Sequence, residues 1–467
     1  MTIPMSTLAD DARAELDLLR IANLAQAARF PGDRLERQPI HTVYGGAQLY
    51  RAGITKRLGE LALASLHEHA GDAFAFADVL SLPGHENLPR DAAARDVLVS
   101  SMSKDAARVR REQPRAWLPL AVHERVIAKL KREAVEDVRI DFEDGFGVRS
   151  DVEEDETAMR AAGELAKATK EGLAPPFVGI RIKTFHEEQK LRAVRTLDLF
   201  VSTLVAELGG LPPGFVVTLP KISVPEQPAT LVKLFEKLEK RHGLASGALK
   251  MEMMIELTQS ILDVEGRVAL PRLLAACEGR CKGAHFGTYD YTASCDITAA
   301  WQAMSHPACQ FALQMMKNAF ASSGVFVSDG ATNVIPVGDR ASVHAAWRLM
   351  YANVQGSLRN GFYQGWDLHP AQLPIRFAAS YAFFLEGFGL AAERLRNFID
   401  KAAQATLVGD VFDDAATGQG LLNYFLRGLA SGAVSEAELA QTGLTEGEVR
   451  TRSFLKILAA RTERAHA

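Results

Sequence analysis

Only four cysteines occur in 467 residues, too few for a disulfide framework in a chain of this length. Cys277 and Cys281 stand four apart with His285 nearby, a spacing that matches no common zinc pattern. No apolar run reaches the roughly 18 residues that a membrane helix needs, so no membrane partner is expected. The opening MTIPMSTLADDARAELDLLR is acidic and amphipathic, without the basic head and apolar core of a signal peptide. A cytoplasmic protein is the expectation. A basic surplus is missing too: 53 lysines and arginines face 57 aspartates and glutamates, which argues against a nucleic-acid partner. No repeat of fixed period, no low-complexity tract and no G-x-G-x-x-G behind the first strand is found. A dinucleotide-binding doubly wound sheet therefore loses its main support.

The apolar share of 48% and the charged share of 24% are those of an ordinary globular protein. What recurs is a short apolar, β-rich segment followed by a longer stretch of helical period. Eight such segments can be counted, over 40–46, 137–145, 177–184, 215–222, 251–257, 281–291, 325–334 and 362–370. Eight βα units predict an α/β chain folded as a (β/α)8 TIM barrel. The reading places an N-terminal helical segment over 1–39, the barrel over 40–375, and a C-terminal helical extension over 376–467. Extra helices fill a long insertion at about 55–135, after the first strand, and a polar loop over 409–420 interrupts the extension.

Each segment begins apolar and ends polar. In order the ends carry Gln48, the cluster Asp141/Glu143/Asp144, Arg181 with Lys183, Lys221, Glu256, Asp290, Asp329, and Asp367 with His369. In a barrel all these ends meet on one rim, where active sites are built. Three carboxylates crowded into VRIDFEDGFG are costly unless a cation or arginine compensates them. Glu256 ends an apolar run, and with Asp290 it forms an oxygen pair suited to a hard divalent cation, magnesium or alternatively manganese. The simpler alternative for Glu256 is an ion pair with Arg181 or Lys221. Arg181 offers a planar fork for a carboxylate or enolate oxygen. Lys183, two residues on, is expected on the same strand face. His369 is either a substrate contact or a hydrogen-bonded structural group, and Asp329 has a turn residue as its alternative.

IDFEDG, GIRIKT, LPKI, MMIELTQSI, HFGTYDYTAS and GWDLHPAQL occur in this order over roughly residues 40–375. Together they resemble the motifs of the HpcH/HpaI aldolase and citrate lyase β-subunit superfamily, which includes malyl-CoA lyases and lies close to malate synthase. The resemblance implies a TIM barrel assembled as a trimer or hexamer, magnesium on Glu256 and Asp290, and a substrate clamp on Arg181. It implies reversible cleavage of a carbon–carbon bond beside a carbonyl. The departures DFEDGFGVRSDVEED, VYGGAQLY and ELTQS point to a distinct, longer branch and leave the use of a CoA thioester open. In CoA-using relatives a C-terminal aspartate of a neighbouring subunit acts as base. Asp410, Asp413 and Asp414 stand in a comparable place, with a solvated acidic loop as the alternative.

The expectation is thus a magnesium-dependent lyase or aldolase for a keto acid or hydroxy-acyl-CoA substrate. Arg181, Glu143, Asp144 and Lys221 would serve catalysis. Arg181, Asp141, Lys183 and His369 would bind substrate, and Glu256 and Asp290 would hold the metal. The alternatives are condensation in the synthase direction, phosphoenolpyruvate-type chemistry, and a barrel without catalysis that serves as a binding module.

Overall fold

Alternation along the β-rich segments sends one set of side chains toward helices and the other toward a common axis. In 137–143, Val138, Ile140 and Phe142 enter the hydrophobic core, and Phe142 meets Phe200 of a neighbouring helix at 6.0 Å. Arg139, Asp141 and Glu143 face the other way. The computed structural model describes residues 12–461 apart from 33, 35, 401–405, 409, 410, 414, 452, 455 and 458.

The chain opens with α1 (Arg13–Arg29), which buries none of its residues, then β1 (His41–Gly46). The insertion follows as α2 (Ile54–Ala70), α3 (Ala73–Leu80), α4 (Ala92–Glu112) and α5 (Pro114–Glu133). Regular βα units come next: β2 (Asp137–Asp141) and α6 (Asp151–Lys170), β3 (Phe177–Arg181) and α7 (Lys190–Leu208), β4 (Phe215–Leu219) and α8 (Glu226–His242). After β5 (Lys250–Ile255) stand α9 (Thr258–Ile261) and α10 (Leu270–Ala276). After β6 (Cys281–Phe286) stand α11 (Thr288–Ser294) and α12 (Pro307–Phe320). β7 (Phe326–Ser328) leads to α13 (Arg340–Arg359), and β8 (Gly365–Asp367) to α14 (Leu373–Glu386). The chain continues with α15 (Phe388–Asp400), β9 (Thr406–Val408), β10 (Val411–Asp413) and α16 (Ala415–Ser431).

The eight parallel strands run in the order β7-β6-β5-β4-β3-β2-β1-β8. The Asp329 amide donates to the Gln364 carbonyl at 2.9 Å and the Trp366 amide to the Gly330 carbonyl at 3.1 Å. These bonds join the β7 and β8 edges, and the predicted TIM barrel is the observed fold. The acidic run SDVEED begins α6: Ser150 caps it on the Glu153 amide, and Asp151, Glu153 and Glu154 fill its first turn. Negative charge is favourable at that end of a helix dipole.

Two boundaries differ from expectation. α14 buries most of its length and packs on α5 and α13, so it completes the helical ring, and residue 375 falls inside it. The span 409–420 is not a polar loop: β10 pairs antiparallel with β9, Phe412 opposite Leu407, and α16 starts at Ala415. Asp413 ends β10, while Asp410 and Asp414 lie outside the described residues. Among the described residues no helix is long and apolar enough to cross a membrane.

Candidate active site

The crowding of Asp141, Glu143 and Asp144 is resolved by Asp141, the last residue of β2. Its carboxylate accepts from the Glu143 amide at 3.0 Å and the Gly145 amide at 2.7 Å. It also takes Arg181 in two parallel bonds, Nε at 2.7 Å and Nη2 at 2.6 Å. A Cβ at residue 145 would sit 2.6 Å from Asp141 Oδ2, so glycine is what lets that amide approach. Both oxygens are thereby engaged within the protein. Asp141 thus holds the arginine.

Arg181 turns its remaining edge toward Glu143 at 3.1 Å and Asp144 at 3.7 Å, with Tyr44 beneath its guanidinium at 5.0 Å. Burial alone would weaken its hold on its proton, but Asp141 more than offsets this and the group stays charged. Burial raises the pKa of Glu143 despite Arg181 and Lys221. For Asp144 the same two cations outweigh burial and lower it.

Lys221, just past β4, adopts a φ of 51°, a left-handed conformation that costs a side-chain-bearing residue roughly 1–2 kcal/mol. That backbone aims the Lys221 amide at Glu256 Oε1, 2.7 Å away. Its ammonium bonds Glu143, reaches Asp144 at 3.2 Å and stands 3.6 Å from Asp290. Burial opposes its charge, but Glu256, Glu143 and Asp290 raise its pKa above the usual lysine value.

Glu256 follows β5 and is fully buried. Its Oε1 is satisfied by the Lys221 amide, whereas Oε2 is buried without a hydrogen-bond partner. Burial, reinforced by Asp290 and opposed by Lys221, pushes the Glu256 carboxyl up to about 8. Asp290 is partly exposed. It does not end β6 as expected but lies in the first turn of α11, because the strand stops at Phe286. A Cβ at residue 287 would fall 2.5 Å from Glu256 Oε2, so Gly287 leaves the carboxyl its space.

Two cations, Arg181 and Lys221, thus face five carboxyls: Asp141, Glu143, Asp144, Glu256 and Asp290. Even with Glu256 protonated the cluster keeps an excess of about two negative charges, which a divalent ion would balance. Among the described residues no group of three or more histidines, cysteines, aspartates or glutamates is placed to hold a metal. The all-oxygen pair Glu256 and Asp290, one with an unpartnered oxygen, suits magnesium, which needs only one or two carboxylates and keeps several waters.

The other rim candidates turn elsewhere. Lys183 lies beyond the end of β3, and its ammonium bonds the Phe142 carbonyl at 2.7 Å and Glu154 of α6 at 3.2 Å. It does not share the Arg181 face, because the strand alternation ends at Arg181. His369 Nδ1 accepts from the Ala371 amide at 3.2 Å and caps the turn before α14, and burial lowers its pKa. Asp367 pairs with His41 and Arg376, and Asp329 with Ser357 of α13. Both carboxylates point away from the barrel axis. Gln48 donates to the Gly145 carbonyl at 3.2 Å.

Sequence reading missed the layer beneath the rim. Arg139 Nε donates to Glu252 and to Thr218 Oγ1, each at 3.0 Å, and its Nη1 bonds Asp137. His285 Nε2 stands 3.0 Å from Glu252, and Trp366 stacks on Tyr44 with centroids 4.6 Å apart. The alternation in MEMMIE carried the signal, since Glu252 and Glu256 share one strand face. Buried side-chain atoms without a hydrogen-bond partner gather here. They include Glu256 Oε2, His285 Nδ1, Thr288 Oγ1 and Trp366 Nε1, each on a strand or just beyond its end. Such atoms cost about 1–3 kcal/mol apiece and mark where a ligand would be received.

Residues 19–457 match the family model described as "Domain of unknown function (DUF6986)". No protein of curated function matches the sequence. Among solved structures, a citrate lyase from Burkholderia xenovorans LB400 is 20% identical with a TM-score of 0.52, over 69% of this chain and 92% of that one. Its likeness shows a shared barrel fold. A malate synthase from Haloferax volcanii, solved with magnesium and glyoxylate, is 16% identical with a TM-score of 0.40, over 68% of this chain and 88% of that one. CitE from Mycobacterium tuberculosis, solved with magnesium and pyruvate, is 17% identical with a TM-score of 0.37, over 56% and 86%.

Proposed function

The chain belongs to the family described as a domain of unknown function, DUF6986, and from its site we propose a divalent-metal-dependent carbon–carbon lyase. It acts on a 2-keto acid or a hydroxy-acyl thioester, with condensation as the reverse reaction. The observation that carries this reading is Glu256, buried with one oxygen unpartnered beside Asp290, Lys221 and the clamped Arg181. The motif resemblance and the barrel shared with a citrate lyase support it.

Glu256 and Asp290 would hold the ion, with water and substrate oxygens completing its shell. Bound there, magnesium would act as a Lewis acid on the keto oxygen. Arg181, fixed by Asp141, keeps N–H groups for the substrate carboxylate or for the enolate oxygen that develops as the bond beside the carbonyl breaks. The Lys221 ammonium, held by Glu143 and Asp144, adds positive charge at the same edge. An anionic substrate meets excess negative charge in the metal-free site, so its binding should require the metal.

Calorimetric titration with magnesium tests the reading. Wild-type protein should bind one ion per chain, and Glu256→Gln and Asp290→Asn should each weaken binding at least about 10-fold. Unchanged affinity in both variants would refute it. Because Glu256 must lose its proton to act as ligand, affinity should rise with pH up to about 8 and then level off. Gly287→Ala should weaken magnesium about 10–100-fold, since the added Cβ would lie 2.5 Å from Glu256 Oε2.

A further inference from the structure

We propose that Glu252 and His285 form a carboxylate–imidazole dyad whose free nitrogen, His285 Nδ1, carries the proton between protein and substrate carbon. The inference rests on the keto-acid reading above. Making an enolate needs a base, and quenching one an acid, beside the carbon next to the carbonyl, and the rim groups are poorly suited to that task. Lys221 is held protonated by its acidic neighbours. Asp141 is committed to Arg181, and Glu143 to Lys221 and Arg181.

His285 differs from the chain's other histidine in the barrel wall. His41 has both ring nitrogens engaged, Nδ1 with Asp367 at 2.8 Å and Nε2 with the Glu136 amide at 3.0 Å. That is a satisfied structural histidine. In His285, Nε2 meets Glu252 Oε2 at 3.0 Å, while Nδ1 is buried and has no partner. Glu252 is itself fixed by Arg139 at 3.0 Å and Thr218 at 3.2 Å. An ionised carboxylate can only accept, so Nε2 carries the hydrogen, and in the neutral ring Nδ1 is the nitrogen with the lone pair. The arrangement is the orienting logic of catalytic triads, with glutamate as the positioning residue.

The dyad lies one layer beneath the rim site. His285 precedes Gly287 by two residues on the axis-facing side of β6, one step of roughly 6.6 Å along the strand. Gly287 is the residue that makes room for Glu256 Oε2. Around the wall, Arg181 stands 5.0 Å over Tyr44, Tyr44 stacks on Trp366 at 4.6 Å, and Trp366 lies 6.3 Å from the imidazole. These contacts join the Arg181 clamp to the imidazole through one continuous aromatic wall. In the condensation direction Nδ1 takes a proton from the carbon beside the carbonyl. The C–H electron pair becomes the enolate double bond, the carbonyl π pair moves to oxygen, and Glu252 balances the imidazolium. In cleavage the alcohol O–H proton passes to Nδ1 as its C–O becomes a carbonyl and the C–C pair becomes the enolate, and Nδ1 then gives that proton to the enolate carbon.

Deuterium exchange into the methyl group of pyruvate, followed by proton NMR in D2O with magnesium and the full chain, tests this. Wild-type protein should exchange the methyl protons. His285→Ala should slow exchange about 10²–10⁴-fold, and added imidazole should restore at least a tenth of the lost rate. Glu252→Gln, which keeps an acceptor for Nε2 but removes the charge, should lower the exchange rate while pyruvate still quenches tryptophan emission. Should His285→Ala not fold, His285→Asn must show the same loss. Wild-type exchange in either histidine variant, or failure of imidazole to restore a folded, pyruvate-binding His285→Ala protein, overturns the dyad alone. Wild-type protein that exchanges no proton of pyruvate, oxaloacetate or 2-ketobutyrate overturns the keto-acid reading, and the dyad with it.

Discussion

Arg181→Lys is expected to lower kcat/KM for the keto-acid substrate by about 10³-fold, the scale set by losing a preorganised donor to a developing oxyanion. Nε and Nη2 bond Asp141 in the two-bond clamp, and the clamp fixes Nη1 at the site, where it faces Glu143 and Asp144. A lysine ammonium is a point charge on a flexible stem. It can pair with Asp141 or reach the substrate, but it cannot reproduce the planar fork that does both. The loss should appear in kcat as well as KM, because the enolate oxygen carries more charge than the keto oxygen from which it forms. Magnesium affinity should change little, since Glu256 and Asp290 are untouched. A loss under about tenfold, with magnesium binding intact, would move substrate anchoring from Arg181 to another cation, with Lys221 the nearest.

Arg139→Met should destabilise the protein by about 3–5 kcal/mol, the cost of removing one partner from a buried ion pair. Arg139 is 1% exposed and compensates both Asp137 and Glu252. Methionine matches its stem but leaves two carboxylates buried without a counter-charge. Burial already raises the pKa of Asp137 despite Arg139. For Glu252, burial also opposes ionisation, but Arg139 and His285 outweigh it and hold its pKa far below the usual value. Urea denaturation should show the loss as a lower midpoint. The double variant Arg139→Met/Glu252→Gln should regain part of it, because a neutral amide needs no counter-charge. A single variant within about 1 kcal/mol of wild type would show that solvent reaches this layer from the base of the barrel.

Much of the site was legible because strand alternation and the rim rule act through local order. Arg181, Glu256 and Lys221 end β-rich runs, and in a barrel such ends converge whatever the rest of the chain does. Asp290 reaches the rim from the first turn of α11, a place that depends on where β6 releases the chain. Lys183 was misdirected because counting by two assumes that the strand continues, and β3 stops at Arg181. The span 409–420 looked like a loop because three-residue strands are too short for composition to announce.

What the sequence determined by itself is the barrel and the chemical character of its rim, since periodicity, helix caps and strand-end charges are properties of neighbours along the chain. Only tertiary structure decided which of those charges cancel. Asp141 is spent on Arg181, Lys183 on Glu154, and Asp367 on His41 and Arg376. It also decided that Glu252, three strands from Arg139, meets both that arginine and His285. Most of these ion pairs and hydrogen bonds join residues dozens to hundreds of positions apart, at distances of a few ångströms that no local spacing encodes.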